Sequence, residues 1–284
     1  MSKTLCAAIQ MASSPNVGAN LLEAGKLVSR AAAAGAELVV LPENFAFMGL
    51  KDTDKLAHAE PEGSGPIQEF LSREAERHGV WLVGGTLPIE ASQPGKVRAA
   101  CVIFDAHGQV AGRYDKIHLF DVNVPGSEEQ YRESETIECG STPLVMDTPF
   151  GRLGVAICYD LRFPELFREM AEEGMDILAV PAAFTARTGA AHWEILVRAR
   201  AVENLCHVVA SNQGGFHLNG RETYGRSMIV GPWGDTLSCL PTGAGFACAE
   251  VDLDKMLRLR QSFPVLGHRR LSCRTAAPLG EHRP

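Results

Sequence analysis

The chain has 284 residues, 45% of them hydrophobic, which is enough for one large core, and we expect a single domain over 1–271 with a C-terminal tail, 272–284. Its net charge of −7 supplies no positive field for a nucleic-acid backbone or an anionic membrane surface, so neither partner is expected. Eight cysteines without a Cys-x-x-Cys pair fit reduced thiols better than a disulfide framework, which points to the cytoplasm.

In chain order, residues 4–11 read as a strand. They lack the long apolar region and small-residue cleavage site of a signal peptide, and no later apolar run reaches the ~18 residues of a membrane span. Apolar spacing over 20–34 predicts an amphipathic helix closed by Gly35, followed by a strand over 37–41. A helix over 66–78 stops at Gly79 and leads into a strand over 80–87. Strands near 99–105 and 109–114 flank Asp105-Ala-His-Gly108, a turn that predicts a hairpin. The polar stretch 121–142 reads as loop. Strands over 144–148 and 152–157, a helix over 164–173, a strand over 177–180, a helix over 191–204 and a strand over 207–211 follow. Short strands near 226–230, 236–239 and 246–251 and a helix near 252–261 complete the pattern, and from Gly267 the sequence reads as poorly ordered or docked on a partner.

Strands alternating with helices indicate an α/β fold. A weak internal repeat refines this. Gly35-Ala-Glu-Leu-Val-Val-Leu-Pro-Glu-Asn-Phe45 matches Gly174-Met-Asp-Ile-Leu-Ala-Val-Pro-Ala-Ala-Phe184, and upstream Leu5, Ala8 and Ile9 match Leu153, Ala156 and Ile157. Two copies of one unit imply two similar sheets related by a pseudo-twofold, each covered by helices. We therefore expect a four-layer α-β-β-α sandwich.

Ligands of such sheets bind at strand ends. Cys158 ends the apolar run Gly151–Ile157, where a thiol is held by the sheet yet open to a substrate. Glu43 follows Leu38-Val-Val-Leu-Pro42, and its counterpart in the second copy of the repeat is Ala182. Lys116 follows the strand over 109–114. Each alone reads as an ordinary core or surface residue. Together they have a division of labour: the carboxylate takes the thiol proton, the thiolate attacks a carbon bonded to nitrogen, and the ammonium with the Tyr159 backbone N–H stabilises the oxyanion.

Leu41-Pro-Glu-Asn-Phe45, Tyr114-Asp-Lys-Ile-His-Leu-Phe120 and Ile157-Cys-Tyr-Asp-Leu-Arg-Phe-Pro-Glu165 resemble the three signatures of the nitrilase superfamily of carbon–nitrogen hydrolases, and the likeness runs over about 4–271. The resemblance implies Glu43 as general base, Lys116 as stabiliser of the intermediate and Cys158 as nucleophile. Pro125-Gly126 followed by Arg132-Glu-Ser134 resembles the loop that carries a second glutamate, so Glu133 is expected beside Lys116, orienting its ammonium. Thr188–Glu194, Arg198–Asn204 and Tyr224–Gly234 are similar to the Nit subgroup, which includes amidases of deaminated glutathione and omega-amidases. Ala190, where that subgroup often has proline, and Arg187 depart from its pattern and leave the substrate open.

The resemblance implies cleavage of the terminal amide of a small oxo-acid substrate such as deaminated glutathione, through a Cys158 thioester with release of ammonia. An omega-amidase acting on 2-oxoglutaramate, a nitrilase acting on nitriles and a non-catalytic binding protein are the alternatives. Arg162, Arg187 and Arg198 are candidates for pairing with an anionic substrate, and Tyr159 and Phe184 for walling the site. No His-Glu-x-x-His, paired Cys/His spacing, phosphate loop or dinucleotide fingerprint is present, so neither metal nor cofactor is expected; His118 and His192 read as structural. Superfamily members cover their outer apolar surface by pairing, and a homodimer is expected.

Overall fold

Alternation within the first strand sets the layers. In β1 (Thr4–Gln10) Cys6 and Ala8 join one apolar cluster and Ala7 and Ile9 another, because successive strand side chains point to opposite faces. The computed structural model describes residues 3–126 and 129–271, so the expected tail 272–284 lies outside the described residues.

Helix α1 (Val17–Ala33) packs Ala24, Leu27, Val28 and Ala31 against Ala7 and Ile9. It opens at Val17 rather than at 20, because the Asn16 side chain accepts the Ala19 N–H at 2.9 Å and caps the first turn. β2 (Leu38–Val40) pairs parallel with β1. Helix α2 (Pro66–His78) lies where predicted, closed by Gly79 in the left-handed region. The single strand expected over 80–87 is broken into β3 (Trp81–Val83) and β4 (Leu87–Glu90). At the break Gly85 has φ 58°, and a Cβ there would lie 2.2 Å from the Pro42 carbonyl oxygen, so only glycine lets the two loops pass.

β5 (Val97–Phe104) and β6 (Val110–Asp115) form the predicted hairpin. The stretch expected as loop over 121–142 contains an antiparallel pair, β7 (Asp121–Asn123) and β8 (Gln130–Arg132), running into a 3-10 turn at Glu133–Glu135. Strands this short and polar carry no alternation to read.

The second half gives β9 (Leu144–Thr148), β10 (Gly151–Val155), helix α3 (Pro164–Glu172), β11 (Ile177–Ala182) and helix α4 (Ala186–Asn204). α4 opens at Ala186 rather than at 191, capped by the Thr185 hydroxyl, so Arg187 stands in a first helical turn and not in a loop. After β12 (His207–Asn212) comes an unpredicted hairpin, β13 (Gly214–Phe216) and β14 (Glu222–Tyr224). β15 (Ser227–Val230), β16 (Thr236–Leu240), β17 (Gly245–Val251) and helix α5 (Leu253–Ser262) follow close to their expected places.

One sheet runs β17-β1-β2-β3-β5-β4, with β6 also on β5, and the other runs β16-β15-β12-β11-β10-β9. Each has three parallel central strands, β1-β2-β3 and β10-β11-β12, flanked by antiparallel partners. That equivalence is the structural form of the sequence repeat. Cys6, Ala8, Val40 and Val83 meet Val155 and Ala179 between the sheets, in a cluster that continues through Leu178 and Val180 on the other face of the second sheet to Phe167 and Met170 on α3 and Trp193 and Val197 on α4. The layers are therefore α1/α2, sheet, sheet and α3/α4, the four-layer α-β-β-α sandwich. Each fully buried aliphatic side chain in these layers contributes roughly 1.5–3 kcal/mol.

Candidate active site

Where β2, β6 and β10 end, the chain leaves both sheets at one edge and lines a cavity of about 790 Å³. Glu43, Lys116, Glu133 and Cys158, far apart in sequence, all face it.

Glu43 is 4% exposed, just past Pro42. Its surroundings are fixed from both sheets: the Asn44 N–H donates to Thr86 Oγ1 at 2.7 Å, and Gln213 Nε2 donates to the Glu43 carbonyl at 3.0 Å. Lys116, 1% exposed, follows β6; its N–H donates to the Ala99 carbonyl at 3.1 Å and its carbonyl accepts the Gly140 N–H at 2.8 Å. The Lys116 Nζ donates to Glu43 Oε1 at 2.7 Å and to Glu133 Oε1 and Oε2 at 2.9 and 2.8 Å. The Phe120 N–H donates to Glu133 Oε2 at 2.7 Å, which aims that carboxylate at the ammonium.

Burial pulls the Lys116 pKa down, but the Glu133 and Glu43 carboxylates more than offset it, and the net shift is upward. Burial pushes the Glu133 carboxyl up, and the Lys116 ammonium, with Lys55 and the Phe120 N–H, reverses this, so the group sits below its ordinary value. Lys116 is therefore a fixed cation across the neutral range.

Cys158 begins a 3-10 turn, Cys158–Arg162, with φ 48°, a left-handed conformation that is strained for a residue with a Cβ by roughly 1–3 kcal/mol. Asp160 holds the turn. Its Oδ2 accepts the Ile157 N–H and the Tyr114 hydroxyl, both at 2.8 Å, and its Oδ1 accepts the His118 N–H at 3.0 Å and lies 2.7 Å from His118 Nδ1. One carboxylate thus joins the Cys158 turn to the residues on either side of Lys116. The thiol pKa is raised well above its ordinary value, first by burial and then by Glu43, against the opposing pull of Lys116 and the Ala183 N–H. At rest the sulfur keeps its proton, with a carboxylate beside it.

Tyr159, Arg162, Phe184 and Arg187 all line the cavity. The Arg162 guanidinium lies 5.7 Å from the Tyr159 ring centroid and 5.6 Å from that of Phe184. Arg187 Nη1 donates to the Gly126 carbonyl at 2.6 Å. Arg198 is a correction: it does not reach the cavity, because its Nε donates to the Gly234 carbonyl at 2.8 Å and its Nη1 lies 3.5 Å from Glu194, on the outer face of α4. His118 is structural, stacked on Phe163 at 3.7 Å as well as bonded to Asp160, and His192 lies 3.3 Å from Arg162. Among the described residues no group of three or more His, Cys, Asp or Glu is placed to hold a metal ion.

Sequence reasoning missed Thr86, Asp160, Gln213 and Arg221. Asp160 stands inside a recognised motif and had a signal; the others act through contacts between distant segments.

A buried thiol beside two carboxylates bridged by one lysine, at the edge of a four-layer sandwich, is an arrangement suited to hydrolysing carbon–nitrogen bonds. Residues 5–261 match the carbon–nitrogen hydrolase family, and the chain belongs to that family. It is 44% identical over 272 residues to the deaminated glutathione amidase of Synechocystis sp., covering 95% of this chain and 99% of that one. It is 39% identical over 271 residues to the deaminated glutathione amidase of Homo sapiens, covering 94% and 82%. Among solved structures, Saccharomyces cerevisiae Nit3, described as a member of branch 10 of the nitrilase superfamily, superposes with a TM-score of 0.84 at 32% identity, covering 93% of this chain and 95% of that one. The resemblance drawn from the three motifs is borne out.

Proposed function

We propose that this protein is an amidase that cleaves deaminated glutathione through a thioester on Cys158. The observation that carries the reading is the Lys116 ammonium, buried and bonded at 2.7–2.9 Å to both Glu43 and Glu133, in the cavity that holds the thiol.

Glu43 takes the thiol proton as the sulfur attacks the amide carbon, which suits a thiol whose raised pKa leaves little thiolate at rest. The oxyanion is stabilised by the Lys116 ammonium and the Tyr159 backbone N–H. Collapse breaks the carbon–nitrogen bond, and the proton held by Glu43 passes to the departing nitrogen. Water then loses a proton to Glu43, attacks the thioester and releases the acid, and the sulfur recovers its proton. Glu133 positions Lys116 throughout. Glutathione has only secondary amides, so its deaminated form expels an amine, cysteinylglycine; ammonia leaves only from a primary amide such as 2-oxoglutaramate, which corrects the leaving group expected above. Arg162 and Arg187 supply positive charge for an anionic substrate, with Tyr159 and Phe184 as walls.

The identity to named amidases over nearly the whole chain supports this reading over a nitrilase. Incubation with deaminated glutathione, 2-oxoglutaramate and a simple nitrile tests it: turnover of the first is expected, and turnover of the nitrile alone contradicts it. A protein that turns over none of them, with Cys158 intact, is the non-catalytic alternative.

We further propose a homodimer in a reducing, cytoplasmic setting. The seven cysteines among the described residues are all free. Ile195, Val202, Trp233 and Phe263 are exposed, with Trp233 and Phe263 5.4 Å apart and Val202 against Gly234, apolar surface that a second copy can cover.

A further inference from the structure

We propose that Arg221 is the receptor for a carboxylate on the acyl side of the substrate, so that the cavity selects amides of anionic acids; this rests on the amidase reading above. Arg221 lines the cavity from the loop between β13 and β14, outside all three recognised motifs.

Its backbone is fixed before any ligand arrives. The Arg221 N–H donates to Asn219 Oδ1 at 3.0 Å, and its carbonyl accepts the His217 N–H at 2.9 Å. The loop is tied to the rest of the chain as well: His217 Nδ1 is 2.9 Å from the Ser13 carbonyl, His217 Nε2 is 2.8 Å from Thr223 Oγ1, and Asn219 Nδ2 donates to the Gly49 carbonyl at 2.9 Å. Ordering of this kind lowers the entropy lost on binding.

The guanidinium lies 5.0 Å from the Tyr131 ring centroid, held against its face, and Nη2 donates to the Ala183 carbonyl. The amide of that same Ala183 is one of the groups that pull the Cys158 thiol pKa down, so Ala183 has the guanidinium on one side and the nucleophile on the other. Arg221 Nε is buried and has no hydrogen-bond partner among the described residues. A guanidinium has five donors in a planar fork, and a buried donor left unmet favours a ligand that meets it. Arg98, another cation of this cavity, is committed to Glu138, whereas among the described residues Arg221 has no carboxylate partner.

The acid released from either candidate substrate is 2-oxoglutarate. Its far carboxylate lies four carbon–carbon bonds from the carbon that sulfur attacks, roughly 5 Å when extended. One residue of backbone spans roughly 3.5 Å, and with the contacts at its two ends Ala183 leaves a gap of the same order as this chain with its own contacts to sulfur and guanidinium. A planar carboxylate meets a guanidinium fork with two parallel hydrogen bonds, which a neutral chain end cannot do.

The test is protection of Cys158 from iodoacetamide by 2-oxoglutarate, read by peptide mass spectrometry, in the wild type, Arg221→Gln and Arg221→Lys. It needs no turnover, so a failure here is distinct from a failure to cleave any amide. Glutamine removes the charge and keeps a donor for Ala183; lysine keeps the charge and loses the fork. The protection constant is expected to weaken ~10-fold or more in Arg221→Gln and ~3-fold or more in Arg221→Lys. A constant within twofold of wild type in whichever variant folds overturns the assignment, as does a wild-type Cys158 that millimolar 2-oxoglutarate leaves unprotected.

Discussion

Replacing Lys116 with methionine keeps the volume of the stem and removes the ammonium, leaving Glu43 and Glu133 facing each other without the cation that lies 2.7–2.9 Å from both. Breaking a buried ion pair by removing one partner destabilises by roughly 3–5 kcal/mol. We expect the lower end, about 3 kcal/mol at pH 7, because the Glu133 side chain keeps 16% of its surface in water. The pH dependence is the sharper part. In the wild type Glu133 titrates below its ordinary value, so its contribution is present above about pH 4.3, the unfolded value, and is lost as pH falls through the lowered folded one. In Lys116→Met burial dominates, the folded value rises above the unfolded one, and the charged carboxylate opposes folding as pH increases. The stability difference should therefore grow from ~1 kcal/mol near pH 4.5 to about 3 by pH 7, with a slope no steeper than ~1.4 kcal/mol per pH unit per proton. Urea denaturation midpoints at four pH values between 4.5 and 7.5 measure it. A difference that stays flat across that range refutes the claim that Lys116 holds Glu133 ionised.

Glu43→Gln should lower amide turnover at least ~100-fold while making Cys158 alkylate faster at pH 7.5, because the Glu43 charge raises the thiol pKa. Slower alkylation would show that Glu43 is not a source of that shift. Asp160→Asn loses acceptor capacity for a carboxylate with four polar partners, and about 2–4 kcal/mol of stability should go with it in urea, with turnover falling further than binding. Gly85→Ala places a methyl against the Pro42 carbonyl at positive φ; we expect a loss of about 1–3 kcal/mol and reduced turnover as Glu43 shifts, read by thermal melts and kinetics. Trp233→Asp should convert a dimer to monomers in sedimentation at micromolar concentration, and a wild type already monomeric there contradicts the homodimer.

The sandwich was legible because its strands are buried on both faces and read as apolar runs, and because β1-α1-β2 repeats as β10-α3-β11. Glu43, Lys116 and Cys158 were legible as strand ends, which topology sends to a common edge. Where local signals compete, the reading failed. Gly84-Gly85 breaks a run that hydrophobicity alone joins, and the caps at Asn16 and Thr185 begin helices before their apolar spacing does. Asp160 stands inside the third motif, but nothing in sequence shows Tyr114 and His118 converging on it. Gln213 and Arg221 reach the site from the β12–β14 region through long-range contacts with Glu43 and Ala183, which no periodicity encodes. Arg198 was misplaced because helical spacing alone could not say which face of α4 turns outward.

The most direct measurement is rapid acid quench of the protein mixed with deaminated glutathione, followed by peptide mass spectrometry. The account predicts a 2-oxoglutaryl thioester on the peptide containing Cys158, absent from a folded Cys158→Ala variant that no longer turns over. Undiminished turnover by Cys158→Ala, or an acyl group trapped on any other residue, contradicts it.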